Sequence, residues 1–240
     1  VTTKLANDAT MESTGREFTI STTNIKIKDF KWTTDWIFGW AENTITKLDS
    51  RSQVYSLVNG VGRTEGRPIG ALYSIPFAGL TEEGLPTFFI DAEHTQVVGP
   101  GNYAAIYFQE YEDIDYLTYE GTIDPKITGS FGNTFSWKGL KLNVFFTYSF
   151  GNVLRLDNLC PVYSSDYSDL TASMKEMKNR WMVPGDENVT TIPSIPTVRQ
   201  MREIDALSNA YSAYNYSTER VAKGDFIRLK ELSLAYDLPK

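Results

Sequence analysis

Apolar residues recur at every second position in five separate stretches of the chain, and this two-residue period predicts extended strands. The stretches span 15–26, 31–43, 126–138, 140–152 and 225–238. In the first, Phe18 and Ile20 share a face against Glu17, Thr19 and Ser21. In the second, Trp32, Thr34, Trp36, Phe38 and Trp40 fall together, opposite Lys31, Thr33, Asp35, Gly39 and Ala41, with Ile37 the exception. The third aligns Ile127, Phe131, Phe135 and Trp137, with Gly129 and Asn133 between them. The fourth is the most regular: Leu140, Leu142, Val144, Phe146, Tyr148 and Phe150 alternate with Lys141, Asn143, Thr147, Ser149 and Gly151, with Phe145 the one apolar exception. The fifth sets Leu232, Leu234, Tyr236 and Leu238 against Glu231, Ser233, Ala235 and Asp237.

The connections between these strands alternate in length. A short polar break is expected at 24–29, and Lys138-Gly139 is short enough for a tight hairpin. Between them, residues 44–122 hold no sustained period and carry many glycines and prolines, with short extended pieces expected at 69–77 and 87–90. Residues 153–223 form a second long irregular segment, with a short helix expected at 173–181, before the final strand and its closing Pro239. Segments this long are unusual in a compact soluble domain. They suit an outer-membrane barrel, which has short turns on its periplasmic side and long loops on the outside. On this reading the turns near 24–29, 138–139 and Pro239 are periplasmic and both long segments are extracellular. A strand of about 9–11 tilted residues crosses the hydrocarbon layer, and the six alternating apolar positions from Leu140 to Phe150 meet that length.

Composition adds one supporting point and removes several alternatives. Aromatics make up 13% of a chain that is polar on average, at a mean hydropathy of −0.30; rings on one face of alternating strands reconcile the two. Three tryptophans on one face of 31–43 suit a membrane interface better than a soluble sheet. A net charge of −7 with no basic run excludes a nucleic-acid partner. The single cysteine, Cys160, forms neither an intrachain disulfide nor a cysteine-based zinc site. No stretch reaches the length of a membrane helix, and the first residues do not form a signal peptide.

Five motifs, in the same order along the chain, resemble the SusC/RagA family of TonB-linked outer-membrane proteins. Glu65-Gly66-Arg67-Pro68-Ile69-Gly70-Ala71-Leu72-Tyr73, with Phe77-Ala78-Gly79-Leu80 after it, is similar to that family's E-G-x-P-I-G-x-x-Y…F-x-G-L segment. Residues 124–135, D-P-K-I-T-G-S-F-G-N-T-F, resemble a D-P-x-x-x-G-x-F-x-N-x-F strand, and 142–152 resemble the strand after it. Arg180-Trp181, Pro184-Gly185-Asp186 and Ile192-Pro193 resemble an R-W…P-G-D…I-P loop, and 225–239 an F-x-R-L-K-x-L-x-L-x-Y-x-L-P strand. The resemblance implies an all-β, antiparallel transmembrane barrel of roughly 22 strands. Of these the chain supplies about five membrane strands with two long extracellular loops. It also implies a nutrient importer of oligosaccharides or peptides, driven through the TonB complex and covered by a SusD-like surface lipoprotein. Residues 1–240 hold no plug-like or TonB-contacting stretch, so the chain is expected to be a C-terminal fragment that does not transport by itself.

The residues expected to face outer-membrane lipid are Trp32, Trp36, Phe38, Trp40, Leu142, Val144, Phe146, Tyr148, Phe150, Leu232, Leu234 and Tyr236. Other candidates are weaker. His94 beside Asp91 and Glu93 falls short of a metal site, and Glu110, Glu112, Asp113 and Asp115 lack the glycine and spacing of a calcium loop. Asp113 and Asp115 as a hydrolytic pair, and Cys160 as a nucleophile, have nothing further to support them. No catalytic residue, cofactor or metal is assigned. Tyr73, Tyr103, Tyr107, Tyr111, Tyr163, Tyr167, Tyr211, Tyr214 and Tyr216 either stack on sugar or a partner protein, or pack the loops together. Arg180-Trp181 reads as a loop anchor. The competing reading is a soluble β-rich carbohydrate-binding or adhesin module, in which Trp32, Trp36, Phe146 and Phe150 would be buried.

Overall fold

A computed structural model of the chain describes residues 8–159 and 175–238. It opens with two long strands, β1 (Ala9–Ile27) and β2 (Phe30–Leu48). The first long connection then folds into a helix α1 (Val54–Val58) and the short strands β3 (Ala71–Ser74), β4 (Phe77–Leu80), β5 (Pro86–Phe89), β6 (Val97–Val98) and β7 (Thr118–Thr122). A hairpin follows, β8 (Ile127–Trp137) and β9 (Leu140–Phe150), and then β10 (Val153–Arg155). The second connection carries helices α2 (Val198–Glu203) and α3 (Leu207–Asn215) before β11 (Val221–Lys223) and β12 (Phe226–Tyr236). Among the described residues no helix is long and apolar enough to cross a membrane.

The long strands form one antiparallel sheet in the order β1-β2-β8-β9-β12. Its registers align the apolar positions of all five strands into rows on one face. From the turn end upward these include Ile27–Phe30–Trp137–Leu140–Tyr236, Ile25–Trp32–Phe135–Leu142–Leu234 and Ile20–Trp36–Phe131–Phe146–Leu229. Two β-bulges make this possible. Apolar residues sit at even positions up to Thr22 and at odd positions from Ile25, and the register shift between Thr23 and Ile25 absorbs the change. The shift between Leu229 and Glu231 does the same for β12, bringing Ile227 and Leu229 onto the face of Leu232, Leu234 and Tyr236.

The strand bounds depart from the periodicity at the sheet's first edge. The break expected at 24–29 contracts to Lys28-Asp29, because Ile27 pairs directly with Phe30, and Asn24 is a bulge residue inside the strand. Upward, β1 and β2 run well past the ends of the alternating pattern. At about 3.3–3.4 Å per residue, their 19 residues reach roughly 63 Å, against roughly 37 Å for the 11 residues of β8, β9 and β12. The extension is mostly polar, with Met11, Ile45 and Leu48 its larger apolar residues, and so carries no sustained period. Lys138 and Gly139 both take positive φ, 46° and 86°, the conformation a two-residue hairpin turn requires.

The core lies elsewhere. The two long connections fold against each other into a cap whose buried cluster includes Val54, Leu57, Tyr73, Phe88 and Tyr103 from the first and Leu207, Tyr211 and Tyr214 from the second. None of the cluster's buried members belongs to the five-stranded sheet.

Candidate functional site

The sheet presents two chemically different surfaces. On the apolar face the rings interlock: Trp32 stacks on Phe135 at 5.6 Å and Tyr148 on Phe150 at 5.7 Å between centroids. Polar atoms on this face are satisfied within it. The Trp32 indole N–H donates to Asn133 Oδ1 (2.9 Å), which also accepts from the Thr34 hydroxyl (2.7 Å), and Asn24 donates to Thr34 Oγ1 (2.6 Å). Higher up, Tyr148 lies across Gly129, where an added Cβ would meet its phenol oxygen and the Ile37 carbonyl. From there the Tyr148 hydroxyl donates to Ile37 O (2.8 Å) and accepts from the Trp36 indole (2.9 Å). The glycine and asparagine of the 124–135 motif therefore do a specific job: one admits a tyrosine ring and the other pairs two donors. All twelve residues expected to face lipid lie on the strands that build this face, and the described chain covers none of it with a second layer. Leu232 and Leu234 remain 64% and 69% exposed.

The opposite face is polar. Its rows run Lys26–Lys31–Ser136–Lys141–Ala235, then Thr23–Thr33–Thr134–Asn143–Ser233, then Ser21–Asp35–Gly132–Phe145–Glu231. Asp35 accepts from Ser21 Oγ (2.6 Å), and Glu231 accepts from Asn143 Nδ2 and Ser233 Oγ. Phe145, the apolar exception in the alternation, packs over Gly132.

At the loop end the cap is fastened to the sheet by the polar extension. Gly66 N–H donates to Ile45 O and Ile45 N–H to Arg67 O, so the E-G-R-P-I-G segment lies alongside β2. Gly70 crosses Ile123 and Asp124 where a Cβ would come within 2.7 Å of the isoleucine side chain. Lys126 pairs with Glu42 at 2.6 Å across the same junction.

Arg155 clips the two connections together. Its guanidinium donates to Val58 O and Tyr73 O of the first connection and to Ser217 O of the second, and also to Ser74 Oγ. Burial lowers its pKa to about 10, with Glu120 opposing that shift; the group remains a cation at neutral pH. A second buried cation, Arg220, is 2% exposed and pairs with Glu176 at 2.6 Å while donating to Asp157 O. Tyr116 is pushed up to about 12 by burial first and by Glu110 second.

The R-W…P-G-D…I-P residues lock the cap from the far side. The Trp181 ring occupies the space over Gly84, its indole donates to Glu187 Oε2 (3.1 Å), and Asp186 accepts from the N–H groups of Met182 and Val183. Backbone and indole donors hold the Glu187 carboxyl below its usual range. Arg180 donates to Met177 O. Both side chains are loop fastenings.

The remaining candidates separate by burial. Tyr73, Tyr103, Tyr211 and Tyr214 are buried in the cap core, and Tyr216 is half-buried against Tyr55 and Phe108. Tyr107 and Tyr111 are exposed, at 55% and 49%. Tyr163, Tyr167 and Cys160 lie outside the described residues, as does Pro239. His94 stacks on Phe89 at 5.0 Å, while the Asp91 carboxylate accepts from the backbone of Thr95 and Gln96. Glu110 likewise accepts from Tyr111 and Glu112 N–H. Among the described residues no three histidine, cysteine or carboxylate side chains cluster as a metal site. The helix expected at 173–181 is a 3-10 turn, Lys175–Asn179, in its described part. Sequence reasoning missed Arg155, which lies in an irregular stretch with no periodicity to mark it.

Comparison with known proteins is consistent with this geometry. No family model matches the chain. TonB-dependent receptor P3 of Formosa agariphila is 27% identical over the whole chain, which spans 23% of that relative's length. TonB-dependent receptor P39 of the same organism is 25% identical over 96% of the chain and 24% of its own length. Among solved structures, that of the RagAB peptide transporter superposes with a TM-score of 0.63 at 23% identity, covering 97% of this chain and 24% of that one. The RagAB peptide importer in its open-open state gives 0.60 over 96% of this chain. The chain thus spans about a quarter of the proteins it matches, and the barrel-type antiparallel fold and the resemblance expected from its motifs both hold.

Proposed function

We propose that this SusC/RagA-like stretch of a TonB-dependent receptor barrel forms part of the wall and outer loops of an outer-membrane importer. One observation carries the reading: a five-stranded sheet with a continuous apolar face on which none of the described residues packs as a second layer, and a polar face behind. A soluble sheet of this size covers its apolar face with a second layer. A barrel turns that face to lipid and the polar one to its lumen. The twelve lipid-facing residues are then those named from the sequence, extended by Phe18, Ile20, Ile25, Ile27, Phe131, Phe135 and Leu229 in the same rows. The tight turns lie on the periplasmic side and the cap on the outside.

The solved neighbours are described as peptide transporters and importers, which favours peptides over oligosaccharides as cargo. The exposed cap is the surface on which a SusD-like lipoprotein would seat. Coupling to TonB belongs to polypeptide beyond these residues, and the role of the wall requires no catalysis.

The test is Phe146→Arg in the full-length protein. Phe146 sits in the middle strand rows, and arginine near a bilayer midplane costs about 2–4 kcal/mol. Heat-modifiable migration and surface expression should be lost. Normal assembly of the variant would restore the soluble-module reading.

A further inference from the structure

We infer that Asn133 and Tyr148, together with the Trp32 and Trp36 indoles and the Thr34 hydroxyl, form a register key that selects how β2 pairs with β8, resting on the wall reading above. Alternation alone leaves that pairing open. A one-residue slip between strands exchanges their faces, but a two-residue slip returns every side chain to the face it left. Sliding β2 by two residues along β8 sets Trp36 against Gly129 or Asn133 in place of Phe131. It sets Phe38 against Ile127 or Phe131 in place of Gly129. All of these lie on the apolar face, so contact with lipid does not discriminate among the three registers.

The other pairings in the sheet carry register marks of their own. β1 meets β2, and β8 meets β9, through two-residue turns, with Ile27 opposite Phe30 and Trp137 opposite Leu140. β9 and β12 share the bulge between Leu229 and Glu231. The seam between β2 and β8 has neither mark. Residues 49–126 separate the two strands in the chain, and their pairing runs from Phe30–Trp137 to Trp40–Ile127 without a shift.

Side-chain hydrogen bonds on the apolar face cross this seam. Asn133 Oδ1 accepts from the Trp32 indole and the Thr34 hydroxyl, and the Tyr148 hydroxyl, reaching over Gly129, accepts from the Trp36 indole. Either two-residue slip replaces Thr34 opposite Asn133 by Trp32 or Trp36. It also puts Thr34 or Phe38 where the Trp36 indole stood, a short hydroxyl or a ring with no donor. The Tyr148 bond to Ile37 O is indifferent, since a slip of two presents another carbonyl. On a face turned to hydrocarbon no water replaces a lost partner, which is why polar groups discriminate registers there. On the polar face the bonds join other strands: Ser21 to Asp35, Thr134 to Asn143 and Asn143 to Glu231. The Lys126–Glu42 pair does cross the seam, but it is 43% and 44% exposed, and surface ion pairs of that kind contribute little.

The experiment is disulfide trapping in the full-length protein with its native cysteines replaced, combining Thr134→Cys with Lys31→Cys, Thr33→Cys or Asp35→Cys. Thr33 lies directly opposite Thr134, at about 5.5 Å between Cα atoms and within disulfide reach. Lys31 and Asp35 take that place only after a slip of two. Oxidised outer membranes should give the Thr33 link alone. In N133L/Y148F, which removes the key's acceptors and makes the face more apolar, the Lys31 or Asp35 link should rise at least about tenfold relative to the Thr33 link. An assembled N133L/Y148F protein that still forms only the Thr33 link overturns the proposal. If that variant does not assemble, it is refolded into phospholipid vesicles with the Thr33–Thr134 disulfide already formed. Heat-modifiable migration should then return, because the tether supplies the register; its continued absence also overturns the proposal. Failure of the wall reading is separately visible as normal assembly of Phe146→Arg, which alters none of the key's groups.

Discussion

The wall and the cap solve opposite problems with the same chain. In the wall, Leu232 and Leu234 are left 64% and 69% exposed, and the sheet is held by strand pairing and by rings stacked along one face. In the cap, Val54, Phe88 and Tyr103 are completely buried and the polypeptide supplies its own interior. Buried apolar area stabilises the cap in water, whereas the apolar rows of the sheet lie outside that buried cluster. The contrast explains why a hydropathy average describes neither region.

Truncating a core ring should separate the two most sharply. Phe88→Ala, at a fully buried position in contact with Phe77, should cost the cap about 3–5 kcal/mol. Limited proteolysis of the full-length protein in detergent should then cut within 49–122, while the barrel's heat-modifiable migration stays normal. Loss of both together would mean that wall and cap form one cooperative unit. A smaller effect is expected from Arg155→Gln, which leaves carbonyls of both connections without their donor, at about 1–3 kcal/mol for each group left buried and unpaired. Hydrogen exchange should rise at α1 and β3 and leave β8 and β9 unchanged. The smallest effect concerns pH. The Glu187 carboxyl is held below its ordinary value, so its contribution is complete above the unfolded carboxylate range and is lost as pH falls through the folded value. Trp181 fluorescence should shift on acidification, and Glu187→Gln should remove that shift; an unchanged titration in the variant would detach Trp181 from Glu187.

The wall was legible in the sequence because a strand with one apolar and one polar face must alternate, and 140–152 does so almost without interruption. What escaped was phase. At Asn24 and again at Lys230 the apolar residues change parity, which looks like the end of a pattern until a bulge is allowed for. The mostly polar upper halves of β1 and β2 escaped for another reason: with only Met11, Ile45 and Leu48 as larger apolar residues, they carry no sustained period. The cap was legible only as irregular sequence, since its core joins residues far apart in the chain, such as Phe77 with Tyr214. Glycines were the one local sign of it. Gly70 and Gly84 mark where another segment crosses, but the sequence does not name Asp124 or Trp181 as the segment that does.

The split ownership of the cap's core bears on how such a protein is made. Residues 54–117 hold one part of the cluster and 159–214 the other, and strands β8 and β9 separate them in the chain. Neither connection encloses the whole cluster alone, so each remains an open thread until it meets the other. Only when β9 and β12 are in place do the two threads meet. Separating β12 from β9 is therefore expected to open the cap to protease even where each connection is intact.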